Sequence, residues 1–256
     1  MKHIRILEAF VRADVSLEDL SQQVRQRYGR DDLTLSVAYV DRGPDLENHE
    51  SLTSLNLAAP ELIKNAVKAE KEGVDGIMID CMADPGVDVL REAVSIPVLG
   101  PGHSSMYVAA MLGHRFSLLV TTKYSERYFL QHVRKAGLDS RLASCNAVDV
   151  PPQEVNADSG RTVELLAEAA RKAIVESRAD TLIFGCTAFA SLIEDVREKL
   201  DAMELSVPLL DPFAVTINML AALSNAGLTQ SRVAYPYSGI GKSFGSHDIS
   251  GVAVNG

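Results

Sequence analysis

The chain has 256 residues, 46 % of them apolar, and its 34 acidic against 25 basic side chains leave a net charge of −9. At about 150 residues per domain, that length suits two small lobes or one large α/β unit. The acidic balance disfavours a polyanion partner, and the scarcity of aromatics (7 Phe, 7 Tyr, no Trp) disfavours a stacking platform for single-stranded nucleic acid.

In chain order, short apolar runs at His3–Ala9, Leu33–Val40, Gly76–Asp80, Pro97–Leu99, Phe116–Thr121, Leu142–Val148, Thr181–Phe184 and Pro208–Leu210 read as strands. Between them, Leu62–Lys71 and Thr162–Glu176 space their apolar residues at a helical period. Continuous apolar strands alternating with helices predict an α/β protein whose mostly parallel sheets are covered by helices. Pro151-Pro152 and the segment to Gly160 read as a loop, and Tyr237–Gly256, rich in Gly and Ser, as a loose or partner-packed tail. Gly239-Ile240-Gly241-Lys242-Ser243 fails as a phosphate loop, because Pro236 stands where its first glycine belongs.

No apolar run reaches bilayer length, and Met1-Lys2-His3-Ile4-Arg5 leads into no uninterrupted apolar stretch of signal-peptide length, with charge returning at Glu8 and Arg12. With three cysteines, Cys81, Cys145 and Cys186, the expectation is a cytoplasmic protein with reduced thiols. Six histidines are scattered without a metal-binding spacing. Asp80, Asp84 and Asp88 lie four apart, but Asp80 ends a strand and the three need not share a face. Neither a metal nor an organic cofactor is expected.

An internal repeat carries the most information. Asp75 opens one strand run and Cys81 follows six positions later; Asp180 and Cys186 repeat that spacing. Downstream, Pro97-Val98-Leu99-Gly100-Pro101 echoes Pro208-Leu209-Leu210-Asp211-Pro212, and upstream Val40-Asp41 echoes Val148-Asp149. In that register Cys145 falls opposite Val37, a core position. Two such halves suggest lobes related by approximate two-fold symmetry. They divide as 1–104 with 212–256 and 105–211.

Cys81 and Cys186 each sit just past the C-terminal end of a parallel strand, where open α/β sheets bind ligands. The turns after them, with Asp84 as N-cap and Pro85 in the first helical turn, offer free backbone N–H groups that can hold an oxyanion and lower a thiol's pKa. A pseudo-two-fold axis would set the thiols on opposite faces of one bound carbon, one as base and the other as acid. A lone free cysteine is more often a small core hydrophobe, and Cys145 keeps that reading. Met82, Ala83, Thr187 and Ala188 in the two turns, with Thr121 and Thr122 after the fifth strand, are the expected substrate-binding residues. Thr121 and Thr122 also suit the cap of the following helix, and His103 suits either substrate orientation or a capping role.

At these residues the chain resembles the aspartate/glutamate/hydantoin racemase superfamily, and its hydantoin racemase branch. The resemblance rests on Asp80-Cys81-Met82-Ala83-Asp84-Pro85-Gly86, Ile96-Pro97-Val98-Leu99-Gly100, Leu112-Gly113-His114-Arg115-Phe116-Ser117 running to Thr121-Thr122, Ala147-Val148-Asp149-Val150-Pro151, and Phe184-Gly185-Cys186-Thr187. It implies two Rossmann-like lobes with the active site in the cleft, 1,1-proton transfer without a cofactor, and Cys81 and Cys186 as acid and base. The implied substrate is a small molecule, a hydantoin-like or ureide ring or an amino-acid derivative, and a homo-oligomer is expected. Relatives that use one cysteine as a nucleophile, or that decarboxylate, leave an isomerase or decarboxylase as alternatives, and a non-catalytic ligand-binding protein is a third. Three departures bear on the substrate. Leu7-Glu8-Ala9-Phe10-Val11 stands where an Asn-Pro-Asn-Thr turn is usual, Gly102-His103-Ser104 where Gly-Glu-Ala is, and Cys-Thr-Ala-Phe where Cys-Ala-Gly is. Glu8, if it pointed into the cleft, would repel a carboxylate and favour a neutral ring.

Overall fold

A computed structural model describes residues 1–11, 16–40 and 51–239. His49, His247 and the tail from 240 onward lie outside the described residues. The first half runs β1 (Lys2–Glu8), α1 (Leu17–Tyr28), β2 (Leu33–Ala38), α2 (Leu52–Leu57), α3 (Ala59–Lys71), β3 (Gly76–Asp80), α4 (Val87–Ala93), β4 (Val98–Leu99) and α5 (Pro101–Leu112). The second runs β5 (Phe116–Val120), α6 (Lys123–Lys135), β6 (Leu142–Ala147), α7 (Ser159–Val175), β7 (Thr181–Phe184), α8 (Ile193–Ala202), β8 (Leu209–Leu210) and α9 (Pro212–Asn225).

The strands form two four-stranded parallel sheets, ordered β2-β1-β3-β4 and β6-β5-β7-β8. The repeat seen in the sequence is therefore a repeat of topology, and it extends to register. Ile6 pairs with Val37 and Met78 in the first sheet; Leu118 pairs with Cys145 and Ile183 in the second. Cys145 thus takes the place of Val37 and packs, half-buried, against the second half's core.

Each expected strand has its ladder: Gly76–Asp80 and Thr181–Phe184 match as expected, the first strand is shifted one residue earlier to Lys2–Glu8, and the others lose residues at one end. The ladders begin after Pro97 and Pro208, which lack an N–H but still accept from Ile77 and Leu182 through their carbonyls. Ala9, Val40, Thr121 and Val148 continue the buried run beyond the paired residues. The helix expected at Leu62–Lys71 starts earlier, at Ala59, with Pro60 in its first turn, and buries Leu62, Ala66, Val67 and Ala69. The one expected from Thr162 starts at Ser159, where the Asp158 side chain accepts the Arg161 N–H as N-cap.

Two helices cross between the sheets. Helix α5 leaves β4 of the first sheet and buries Met106 and Ala109 against Phe116, Leu118 and Ile183 of the second. Helix α9 leaves β8 of the second sheet and buries Phe213, Ile217 and Leu220 against Ile4, Ile6 and Met78 of the first. Each fully buried aliphatic side chain of that kind is worth about 1.5–3 kcal/mol, so the exchange ties the halves together through both cores.

The repeated aspartates have matching structural jobs. Asp75 accepts the His3 N–H at 2.8 Å, and Asp180 accepts the N–H groups of His114 and Arg115 at 2.8 and 3.0 Å. Each anchors the start of its sheet's central strand. Partial burial pushes the Asp180 carboxyl up, but the two amides outweigh it and hold it below the usual carboxylate range. Such a group stabilises the fold above the ordinary carboxylate range, and the contribution is lost as pH falls through its lowered value. Asp180→Asn is expected to cost roughly 1–2 kcal/mol at neutral pH, at the lower end because water screens the site. The deficit should close as pH drops below about 3.9, the ordinary carboxylate value, read as urea midpoints of both proteins from pH 7 to 3.

Candidate active site

Cys81 follows the last residue of β3, and Cys186 stands two residues past β7, capping a 3₁₀ turn over Thr187–Leu192. Both thiols therefore lie at the C-terminal edge of a sheet, one per half, and both residues are partly buried. Burial pushes the Cys81 thiol well up; the Ala83 amide pulls the other way, and the charges of Cys186, Asp84 and Asp80 add to the rise. Cys186 is thus within Coulombic reach of Cys81. The thiol-lowering effect expected of the helix ends is outweighed at Cys81, because α4 has only seven residues and begins six positions later.

That delay corrects one expectation. Asp84 does not cap the next helix, and Pro85 does not open it. Gly86, at φ +72°, precedes α4, and Asp84 itself is left-handed at φ +50°. The turn closes instead with the Asp84 N–H on the Cys81 carbonyl at 2.9 Å. The Asp84 carboxylate crosses to α5, whose cap position, Gly100, has no side chain, and accepts the N–H groups of Gly102 and His103 at 2.8 Å each. At the repeat-equivalent helix, α9, Asp211 sits at the cap position and accepts from Phe213 and Ala214. The first half thus borrows from its cysteine turn the cap that the second half carries on the helix. A Cβ on Gly100 would lie 2.1 Å from Asp84 Oδ1, so only glycine admits the carboxylate.

Asp84 also meets two histidines. His103 Nδ1 lies 2.8 Å and His132 Nε2 3.2 Å from its Oδ2. Burial would push this carboxyl up, but the two imidazoles hold it well below the usual carboxylate range. The expected capping role for His103 falls to its backbone N–H, and His132 was not singled out by the sequence. Among the described residues, Asp84, His103 and His132 form a set able to hold a metal ion. Asp80 and Asp88 do not join it; Asp88 pairs at the surface with Arg91 and Lys135.

Each cysteine turn is gripped by the first helix of the opposite half. From α6, Tyr128 donates its hydroxyl to the Ala83 carbonyl at 2.6 Å. From α1, Arg27 donates to the Ala190 carbonyl beyond Cys186, and Tyr28 donates to Asp211 at 3.0 Å. Burial, then the charges of Cys81 and Asp84, push the Tyr128 hydroxyl's pKa up, which keeps it a donor. Tyr128→Phe strands the Ala83 carbonyl and is expected to cost about 1–2 kcal/mol of stability, read by urea unfolding.

The remaining expected residues fall around these turns. The Met82 side chain is buried with Met106, Phe116 and Leu118, so only its backbone is left for a ligand. Ala83 and Ala188 pack partly buried against the cores of their own halves. Thr122 caps α6, accepting the Ser125 N–H, and Thr121 shares a hydrogen bond with the Ser125 hydroxyl at 2.9 Å. Thr187 opens the 3₁₀ turn after Cys186. Glu8 is 3 % exposed, beside Asp80 in the register of β1 and β3.

The molecule is thus a two-lobed α/β protein with a thiol at the matching strand end of each lobe. The chain belongs to the Asp/Glu/hydantoin racemase family, which it matches over residues 16–220. It is 27 % identical to a hydantoin racemase of Pseudomonas sp. (strain NS671) over 184 residues, 72 % of each chain. With a hydantoin racemase of Paenarthrobacter aurescens it shares 28 % identity, over 69 % of this chain and 73 % of the other. Among solved structures, allantoin racemase from Klebsiella pneumoniae superposes with a TM-score of 0.81 at 21 % identity, covering 92 % of this chain and 94 % of that one. Glutamate racemase from Francisella tularensis has the same fold at a TM-score of 0.56 and 19 % identity, covering 90 % and 84 %.

Proposed function

We propose that this chain is a cofactor-independent racemase of a chiral carbon beside a carbonyl, in a hydantoin-like or ureide ring, with Cys81 and Cys186 as its two proton-transfer groups. The observation that carries the reading is the pairing of these two thiols at repeat-equivalent strand ends, within Coulombic reach of each other. The thiolate of one cysteine takes the proton from the ring carbon, and the C–H electron pair moves into an enolate. The thiol of the other gives its proton to the opposite face. The carbon is inverted, and the two sulfurs have exchanged protonation states. One negative charge shared by the pair suffices, because a thiolate at either position raises the pKa of its partner.

Backbone N–H groups of the two cysteine turns hold the enolate oxygen, each worth about 2.7–4 kcal/mol of barrier by oxyanion-hole precedent. A neutral ring suits the acidic surroundings, with Glu8, Asp80 and Asp84 close to the first turn, better than a free carboxylate does. The hydantoin and allantoin racemases among the similar proteins support the same substrate class. Within this reading the lobes divide as 1–104 with 212–256 and 105–211, a division supported by the packing of α9 on the first sheet and α5 on the second.

The test is polarimetry of single enantiomers of 5-substituted hydantoins, allantoin and free amino acids with the purified protein. Loss of optical rotation to zero with a ring substrate, faster than with any amino acid, is the expected result. Turnover confined to amino acids would overturn the substrate class, and none with any substrate would overturn the reading itself.

A further inference from the structure

The proton transfer above makes no use of Asp84, His103 and His132, which come from the turn after β3, the first turn of α5 and the last turn of α6. One ligand atom from each lies within 4.8 Å of the others. The Asp84 side chain is 1 % exposed and that of His132 6 %, while His103, at 21 %, leaves a way in from solvent.

A count of acceptors shows what these contacts lack. Oδ1 of Asp84 takes the Gly102 N–H. Oδ2 faces three nitrogens: the His103 amide at 2.8 Å, His103 Nδ1 at 2.8 Å and His132 Nε2 at 3.2 Å. A carboxylate oxygen has two lone-pair sites. With the amide on one of them, two imidazole nitrogens share the other, so hydrogen bonds to Oδ2 cannot serve all three.

We propose that Asp84, His103 and His132 bind a borderline divalent cation, with Zn²⁺ as the probe, and so fasten α6 to the turn that carries Cys81. A cation between Oδ2, Nδ1 and Nε2 takes one bond from each and leaves the His103 amide on the second lone pair of Oδ2. Zn²⁺ bonds of about 2.0–2.2 Å set tetrahedral ligand atoms roughly 3.3 Å apart, close to the 2.8 and 3.2 Å found here. Each imidazole stays neutral and carries its proton on the other ring nitrogen, Nε2 of His103 and Nδ1 of His132. The fourth position is left for water. Two imidazoles and one carboxylate select zinc-like ions over Mg²⁺ and Ca²⁺, which prefer all-oxygen sets. The Gly102 and His103 amides orient the carboxylate as a second shell. The rings are held by stacking, His132 on Tyr128 at 5.6 Å and His103 on Tyr107 at 6.4 Å.

The experiment titrates Zn²⁺ calorimetrically into chelator-stripped protein in which Cys81→Ser and Cys186→Ser remove the two strand-end thiols, leaving only Cys145, which is packed against the second half's core. The expected result is one Zn²⁺ per chain, with affinity lowered roughly 100-fold or more by His103→Gln or His132→Gln and unchanged by His114→Ala, an exposed histidine outside the set. Co²⁺ gives a second measurement on the same unmutated triad, with tetrahedral d–d absorption and no thiolate charge-transfer band expected. Absence of stoichiometric binding, or binding that survives both glutamine variants, would overturn the site. The readout involves no racemisation, so it stands or falls apart from the reaction proposed above.

Discussion

Replacing Cys81 or Cys186 with serine is expected to lower racemisation of the best ring substrate by about 10²–10⁴-fold, the range for loss of a positioned acid or base. The urea midpoint should hardly move, because sulfur to oxygen is a small change at a partly buried strand end. The two variants should differ in a diagnostic way. Each keeps one thiol, so in D₂O each exchanges the ring proton of one enantiomer only, and the two variants choose opposite enantiomers. Burial and negative neighbours push the Cys81 thiol up, so turnover of the enantiomer it deprotonates should keep climbing with pH past the ordinary thiol range of about 8.5. Equal exchange of both enantiomers by either variant would contradict separate roles for the two sulfurs.

The second large effect is expected at Gly102, in the first turn of α5. A Cβ there would sit 2.2 Å from the Met82 carbonyl oxygen and 2.8 Å from His132 Nε2. The first of these is backbone of the cysteine turn, so neither a rotamer change nor a flexible tip can relieve it. Gly102→Ala therefore forces the turn away from α5, at about 3 kcal/mol of folding stability. The shift is passed to Cys81 through the bond from the Asp84 N–H to the Cys81 carbonyl. A displacement on the order of 1 Å at a reacting group can cost about 100-fold in rate. Urea unfolding and turnover, measured on the same preparation below its melting range, separate the two effects. A variant that is destabilised but fully active would show that Cys81 is not held through α5.

The strands, the parallel sheets and the repeat were legible in the chain because they rest on local signals: apolar runs, a six-residue spacing from Asp to Cys, and proline at two matching strand starts. The register of Cys145 against Leu118 could be read from the same alignment. What escaped was contact between residues distant in sequence. Asp84 looks like the cap of the helix that follows it, and nothing local says that it caps α5 instead. The reason lies at Gly100, where the second half has Asp211; the mismatch in the repeat was visible, but its consequence needed the fold. His132, 48 positions from Asp84, and Tyr128 sit on an otherwise ordinary amphipathic helix. Only the crossing of α6 onto the opposite half's cysteine turn brings them to the site. Met82 was legible as a neighbour of the thiol but not as a core side chain, because the direction it takes depends on a turn with left-handed residues at 84 and 86.

The most direct measurement follows one enantiomer of a ring substrate through the first few per cent of turnover in D₂O, with mass and chirality read together. Two thiols working from opposite faces predict that the inverted product carries deuterium at its stereocentre while recovered starting material remains protonated. Deuterium appearing equally in both hands from the outset would mean that a single group removes and returns the proton, and that the pairing of Cys81 with Cys186 is not the basis of the chemistry.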